Sequence, residues 1–452
     1  MAWLLNSNYT QATGPELKTV EQIPSLMAVF KVDGLAVTAV SGENILVSQG
    51  FGVSAEGTAM TATSPCGLYS ATKVLASLTY AKLAEDGLLD LNAPLSEYLR
   101  DAPRAWASIP FYRLLNHSSG IPTVVNTLAF EQLSTDPGAG NDDIYRIIRN
   151  APLDFAPGQH SRYRQSGYAV GEMILEERQG VTFDKLINQY VTGPAAMTDT
   201  EHASRSNPTQ PSLLMSAGGY QTTAADMGRL FLAINQGVVI DPSDWEDVLL
   251  DESHLLDNYS LGNVIEKRND ILTIGHSGGG ARANIRYAPH ERVGVMICTD
   301  DTQNNGLAFS LAQMLMYEIV TDEPPPRPLL LALAGFETMT GTEVIDAYRT
   351  AESQGSYYEM SDGENLLNSI GYEFLDRDQS SDAITVFTFS SERFPNSPNT
   401  FDSLGEALLS SGDTTAALAQ YRRVLTLEPD NSHAGAMIEA IENILRTSKG
   451  PR

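Results

Sequence analysis

Cysteine is almost missing from this chain: Cys66 and Cys298 are the only two. Two thiols cannot build a disulfide framework, and neither has the C-x-x-C partner of a zinc or redox motif; a single bridge between them stays open. Cys66 reads as a small buried residue. Positive charge is scarce too, with 29 Lys and Arg against 56 Asp and Glu and a net charge of −27. Duplex nucleic acid and anionic membranes both need a basic footprint, so neither is expected as a partner. No apolar run reaches the roughly 18 residues of a membrane-spanning helix. The segment from Met1 to Asn8 lacks the basic flank and long apolar core of a signal peptide, which leaves the compartment open. The seven histidines form no H-E-x-x-H or comparable cluster, and no Walker A loop is present, so no metal or cofactor is expected.

What is present suits a globular protein of two or three domains, at roughly 150 residues each. Hydrophobic content is 42% and aromatic content 8%. The apolar stretches 34–40 and 44–48 flank Ser41-Gly42-Glu43, which predicts a β-hairpin. Residues 266–274, 283–287 and 293–299 read as three late strands. Residues 167–177 and 314–319 read as helical. Early strands, a helical middle and late strands predict an α/β (α+β) domain whose two ends join one antiparallel sheet, flanked by helices with a helical subdomain.

The proline run from Pro324 to Pro328 excludes helix and is stiffly extended. It divides a domain over 1–323 from a helical one over 341–447, with a linker over 324–340. Beyond the linker the chain repeats itself. Leu367, Ile370, Gly371, Phe374, Ala383, Phe387 and Pro395 recur as Phe401, Leu404, Gly405, Leu408, Ala417, Tyr421 and Pro429, each 34 residues later (405 − 371 = 34). That is the period of a tetratricopeptide helix pair. Such repeats favour docking, to a protein partner or to a second copy, over a ligand groove.

Three short stretches could carry chemistry. Ser70-Ala71-Thr72-Lys73 opens an apolar helical run. A serine and a lysine three apart share one helix face, and a lysine amine there can take the serine's proton. Tyr163-Arg164-Gln165 precedes the helix at 167–177. A tyrosine there can act as acid or base if Lys73 lowers its pKa. His276-Ser277-Gly278-Gly279-Gly280 ends a strand, and a backbone N–H past the histidine could donate to an oxyanion with that of Ser70. The same stretch also fits G-x-S-x-G, but a nucleophile elbow needs a helix next, and 283–289 reads as a strand ended by proline.

Taken together and in this order, the three stretches resemble the serine β-lactamase-like superfamily, which includes class C β-lactamases, penicillin-binding DD-peptidases and esterases of the same fold. That family carries S-x-x-K, Y-x-N and K-T-G or H-x-G in sequence. The stretches Phe111–Pro122 and Ser216–Met227 are similar to it as well, and some members carry a tetratricopeptide tail. The resemblance covers roughly residues 20–320. It implies that Ser70 is the nucleophile, Lys73 its proton acceptor and Tyr163 a second acid or base. His276, Gly278, Gly279 and Gln165 would bind substrate and oxyanion. Gln165 in place of Asn and His276 in place of Lys depart from the β-lactamase pattern, because a neutral histidine grips an anion less firmly. The expected activity is ester hydrolysis through a Ser70 acyl-enzyme on a small-molecule substrate. D-amino-acid peptide or amide hydrolysis and weak β-lactam hydrolysis are the alternatives. A reading of another class is an inert binding protein that works through its repeats.

Overall fold

The computed structural model describes residues 17–447 apart from 126, 207–210, 281 and 301–305. The chain divides into two compact units, Met1–Pro325 and Pro326–Arg452.

The first unit is built on a seven-stranded antiparallel sheet. In chain order its strands are β1 (Gly34–Ser41), β2 (Asn44–Gly52), β6 (Tyr259–Ser260), β7 (Asn263–Arg268), β8 (Ile271–Gly278), β9 (Ala283–Ala288) and β10 (Val293–Thr299). A second, three-stranded sheet comprises β3 (Cys66–Gly67), β4 (Glu201–His202) and β5 (Tyr220–Thr222). The large sheet runs β2-β1-β10-β9-β8-β7-β6, so the early hairpin and the late strands meet as expected. They join by pairing β1 with β10 from Leu35 opposite Thr299 to Ser41 opposite Val293. β10 reads Val-Gly-Val-Met-Ile-Cys-Thr and is buried throughout, so both faces of the sheet's middle are covered. Helices α1 (Lys18–Phe30) and α6 (Leu307–Thr321) pack together, and α6 lies on β9 and β10. Between them in sequence lie α2 (Thr72–Glu85), α3 (Asn141–Ile148), α4 (Ser166–Gln179) and α5 (Ala224–Asn235). α5 rests on β1, β2 and β10, with the Phe231 ring over Gly294.

One expectation is corrected here, and one alternative the sequence left open is decided. The stretch 266–274 is not one strand: Asn269 and Asp270, at φ of +48° and +62°, close a two-residue hairpin between β7 and β8. Positive φ at both central positions is the turn geometry that matches strand twist, and Asn and Asp tolerate it. Cys66 is buried, but it is also bridged: it forms a disulfide with Cys298, Cα–Cα 6.3 Å, tying β3 to the end of β10.

In the second unit the chain forms helices α7 (Gly341–Ser353), α8 (Gly363–Asp376), α9 (Ser380–Arg393), α10 (Pro398–Ser410), α11 (Thr414–Leu427) and α12 (Ser432–Thr447), each packed on its neighbours in sequence from α8 onward. The 34-residue echo has a packing cause. Gly371 lies against the Phe387 ring and Gly405 against the Tyr421 ring, where a Cβ would stand 2.5 Å and 3.1 Å from ring carbons. The linker expected over 324–340 is shorter than that, because Leu329 and Leu333 are buried in the core with Val344 and Tyr348. The apolar run Leu329–Leu333 gains more from burial than from extension in water. Among the described residues no helix is long and apolar enough to cross a membrane.

Candidate active site

Ser70 sits in a short 3-10 turn, Tyr69–Ala71, that leads directly into α2. Two contacts fix the turn. The Leu68 N–H donates to the Tyr220 carbonyl at 2.8 Å, and Ala71 N–H closes onto the Leu68 carbonyl at 2.9 Å. α2 is buried on nearly every side, from Thr72 through Ala81, which matches its all-round apolar sequence. Its one buried cation is Lys73, fully enclosed, with Nζ donating to the Ala217 carbonyl at 2.7 Å. Burial disfavours the ammonium and brings the Lys73 pKa down from 10.5 to about 7.

Tyr163 stands on the loop before α4. Its ring centroid is 5.0 Å from Lys73 Nζ, as is that of Tyr168 one turn on. The Tyr163 side chain lies close enough to Ser70 for the two to interact. Desolvation raises the Tyr163 pKa and the interaction with Ser70 only partly offsets this, so the condition that Lys73 lowers it is not met. The phenol keeps its proton near neutral pH and suits a general acid. Ser70, Lys73 and Tyr163 therefore converge, as their order in the sequence suggested.

His276 enters from β8. Its ring lies 5.9 Å from that of Tyr163 and 5.8 Å from that of Tyr259. Nδ1 is in close contact with the Ser277 carbonyl, so this nitrogen carries the proton, while the buried Nε2 has no partner. Burial first and then the nearby Lys73 hold the His276 pKa down to about 3. The ring is neutral at physiological pH and offers no positive charge to a substrate carboxylate.

Beyond His276 the end of β8 passes directly over the Ser70 turn. A Cβ on Gly278 would stand 1.9 Å from the Leu68 carbonyl oxygen, so only glycine fits. Gly279, at φ +60°, faces the Tyr69 ring. These glycines bring the strand end alongside Ser70. Gln165 takes the N-cap position of α4, half-buried. Among the described residues its side chain makes no hydrogen bond to Lys73 or Ser70, so it is not drawn into the cluster. The G-x-S-x-G alternative fails on geometry: Ser277 is a strand residue whose Oγ accepts from Asn284 Nδ2 at 2.8 Å, and the chain turns back into β9 rather than into a helix.

Sequence reasoning missed three members of the cluster. His117, at φ +63°, packs between Tyr163 (4.4 Å), Tyr259 (4.5 Å) and Tyr168 (5.4 Å), measured between ring centroids. Its Nδ1 lies 2.9 Å from the Arg164 carbonyl and its buried Nε2 is unpartnered. Desolvation and the neighbouring Lys73 keep its pKa well below the usual value for histidine. His117 lay within the Phe111–Pro122 stretch, flanked by Asn116, Ser118 and Ser119, so nothing local set it apart. Tyr168 lay five residues after Tyr163. For Tyr259 no local signal existed, since only the β6–β7 hairpin carries it to the site.

A family model described as Beta-lactamase matches residues 23–314, well over half of the 452-residue chain. Penicillin-binding protein 4* of Bacillus subtilis (strain 168) is 27% identical over 168 residues, covering 36% of this chain and 37% of the relative. The chain thus aligns with little more than a third of the length of that relative. Among solved structures, the octameric penicillin-binding protein homologue from Pyrococcus abyssi superposes with a TM-score of 0.56 at 18% identity, over 70% of this chain and 80% of the other. The D-amino acid amidase from Ochrobactrum anthropi SV3 superposes with a TM-score of 0.52 at 17% identity, over 64% and 99%. These likenesses show the shared fold.

Proposed function

Because this chain belongs to the beta-lactamase family, we propose that it is a serine hydrolase that works through an acyl-enzyme on Ser70, with carboxylic esters as its first substrates. One observation carries the reading: a fully buried Lys73 whose pKa falls to about 7, one turn from Ser70 in sequence and 5.0 Å from the Tyr163 ring. An amine with that pKa is largely unprotonated just above neutrality and can accept the Ser70 proton. Ser70 Oγ then attacks the substrate carbonyl. The oxyanion faces the N–H groups of Ser70 and Gly279, donors of a type worth roughly 3–4 kcal/mol each when removed from a working site. Tyr163 passes a proton to the leaving group, and water releases the acid in the second half. The neutral rings of His276, His117 and Tyr259 pack around Tyr163 and supply no positive charge there, which favours a substrate without a free carboxylate beside the scissile bond.

Two measurements test this. Against p-nitrophenyl butyrate, nitrocefin and a D-aminoacyl anilide, the ester is turned over fastest. Preference for the anilide would move the assignment to D-amino-acid amide or peptide hydrolysis. No turnover of any of the three would favour an inert binding protein. The kcat/KM for the ester rises with pH through about 7, because only unprotonated Lys73 can serve as base. A profile flat across that pH would remove Lys73 from the role.

For 341–447 we propose a tetratricopeptide-like docking module for a protein partner or a second copy. The recurrence of Gly371 and its ring contact at Gly405 supports this.

A further inference from the structure

The lysine that this mechanism needs is held by a backbone carbonyl, and that carbonyl belongs to a turn. Ala217 accepts from Lys73 Nζ at 2.7 Å. The turn closes on Leu214, whose carbonyl accepts from Ala217 N–H at 2.9 Å and from Gly218 N–H at 3.0 Å. Leu214 itself has a φ of +55°, a backbone conformation a branched side chain disfavours, so something outside the turn must hold it. Two buried side chains do so. Asn141, at the start of α3, accepts from Leu214 N–H with Oδ1 at 3.1 Å. Glu172, in the middle of α4 and fully buried, accepts from Ser216 N–H with Oε2 at 2.8 Å. The two are joined, because Asn141 Nδ2 donates to Glu172 Oε1 at 2.6 Å.

We propose that the buried Glu172–Asn141 pair is a positioning device for Lys73, setting the turn whose Ala217 carbonyl holds the lysine amine against Ser70. Neither side chain touches the reacting atoms. The pair holds two N–H groups of the turn, those of Leu214 and Ser216, and the next carbonyl along, that of Ala217, accepts from Lys73 on α2. The same segment continues into β5, where the Tyr220 carbonyl takes the Leu68 N–H at the entrance to the nucleophile turn. One bracket therefore sets both the base and the approach of the serine. A carboxyl group buried in this way is costly unless each of its oxygens is used, and here both accept a hydrogen bond. Displacing a catalytic group by about 1 Å can cost on the order of a hundredfold in rate, which gives such a bracket its leverage.

This inference rests on Ser70 and Lys73 acting as proposed, and its test separates the two claims. The assay is the rate of Ser70 labelling by a fluorophosphonate and of ester acylation, per folded molecule, with melting temperature measured alongside. In Glu172→Gln an amide N–H2 is forced against a donor, either Asn141 Nδ2 or Ser216 N–H. In Asn141→Asp two carboxyl groups face each other. Each single variant is expected to lose on the order of tenfold to a hundredfold in acylation rate, with KM nearly unchanged. The double variant Glu172→Gln/Asn141→Asp restores every contact in mirror image. The new amide on α4 donates to the new carboxylate on α3 and accepts from Ser216 N–H, while that carboxylate accepts from Leu214 N–H. The double variant is expected to return to within about threefold of wild type, which a role in filling space would not produce. Single variants at wild-type rate, or a folded double variant as slow as the singles, overturn the inference. If the singles do not fold, the double must recover both folding and rate, and a folded but slow double overturns it again. Failure of the wild type to label, or labelling of Ser70→Ala, would count against the mechanism rather than against the bracket.

Discussion

Ser70→Ala is expected to lower kcat/KM on p-nitrophenyl esters by at least about a thousandfold while leaving the melting temperature unchanged. The two halves of this expectation come from different observations. In the proposed mechanism the hydroxyl is the nucleophile, so no acyl-enzyme forms without it, and the remaining activity is what binding and the backbone N–H groups supply. The hydroxyl does little for the fold: it caps neither the 3-10 turn nor α2. The turn is held by backbone bonds at Leu68 and Ala71 and by the close passage of Gly278, all unaltered in the variant. A small loss of rate, or a large loss of stability, would each contradict the assignment.

Lys73→Met is the second large effect, and it moves activity and stability in opposite directions. Removing the proposed base is expected to slow acylation by about 10²- to 10⁴-fold. Stability follows from linkage. The amine titrates near 10.5 when unfolded and near 7 when folded. Between those values the unfolded chain binds more protons, so wild-type stability gains from this group as pH rises through the window. Below about pH 7 the folded protein carries the full penalty of enclosing an ammonium. Methionine fills the same space with no charge, so the variant is expected to melt higher than wild type at about pH 7, and the difference should narrow toward about pH 10. Thermal melts of the two proteins across this range check it. A variant less stable than wild type near neutrality would mean that the bond to Ala217 outweighs the cost of burial.

The sequence made some of this legible and hid the rest for physical reasons. The hairpin at Ser41-Gly42-Glu43 was readable because turn chemistry and alternation agree over a few residues. The joining of β1 to β10 was readable because both strands are long and apolar. The Asn269-Asp270 turn was passed over because the arm before it, Glu266-Lys267-Arg268, is all charged and shows no strand alternation of its own. The Cys66–Cys298 bridge spans 232 residues, a pairing that spacing alone does not fix. In the site, Ser70, Lys73, Tyr163 and His276 were visible as motifs, since each sits at the end of a regular element. Gln165 shared a motif but not the cluster. Its position at the N-cap of α4 turns on backbone geometry that residue type does not encode. Tyr259, Asn141 and Glu172 come to the site through the β6–β7 hairpin, α3 and α4, and His117 through the turn that follows residues 112–115. Their roles depend on which distant backbone groups they meet, and no local pattern records that.

The chemistry reduces to one covalent bond. Wild-type protein treated with a fluorophosphonate, digested and mapped by mass spectrometry should carry a single adduct on Ser70, formed faster as pH rises through about 7. An adduct on any other residue, or none under conditions where the ester is still hydrolysed, would contradict an acyl-enzyme on Ser70.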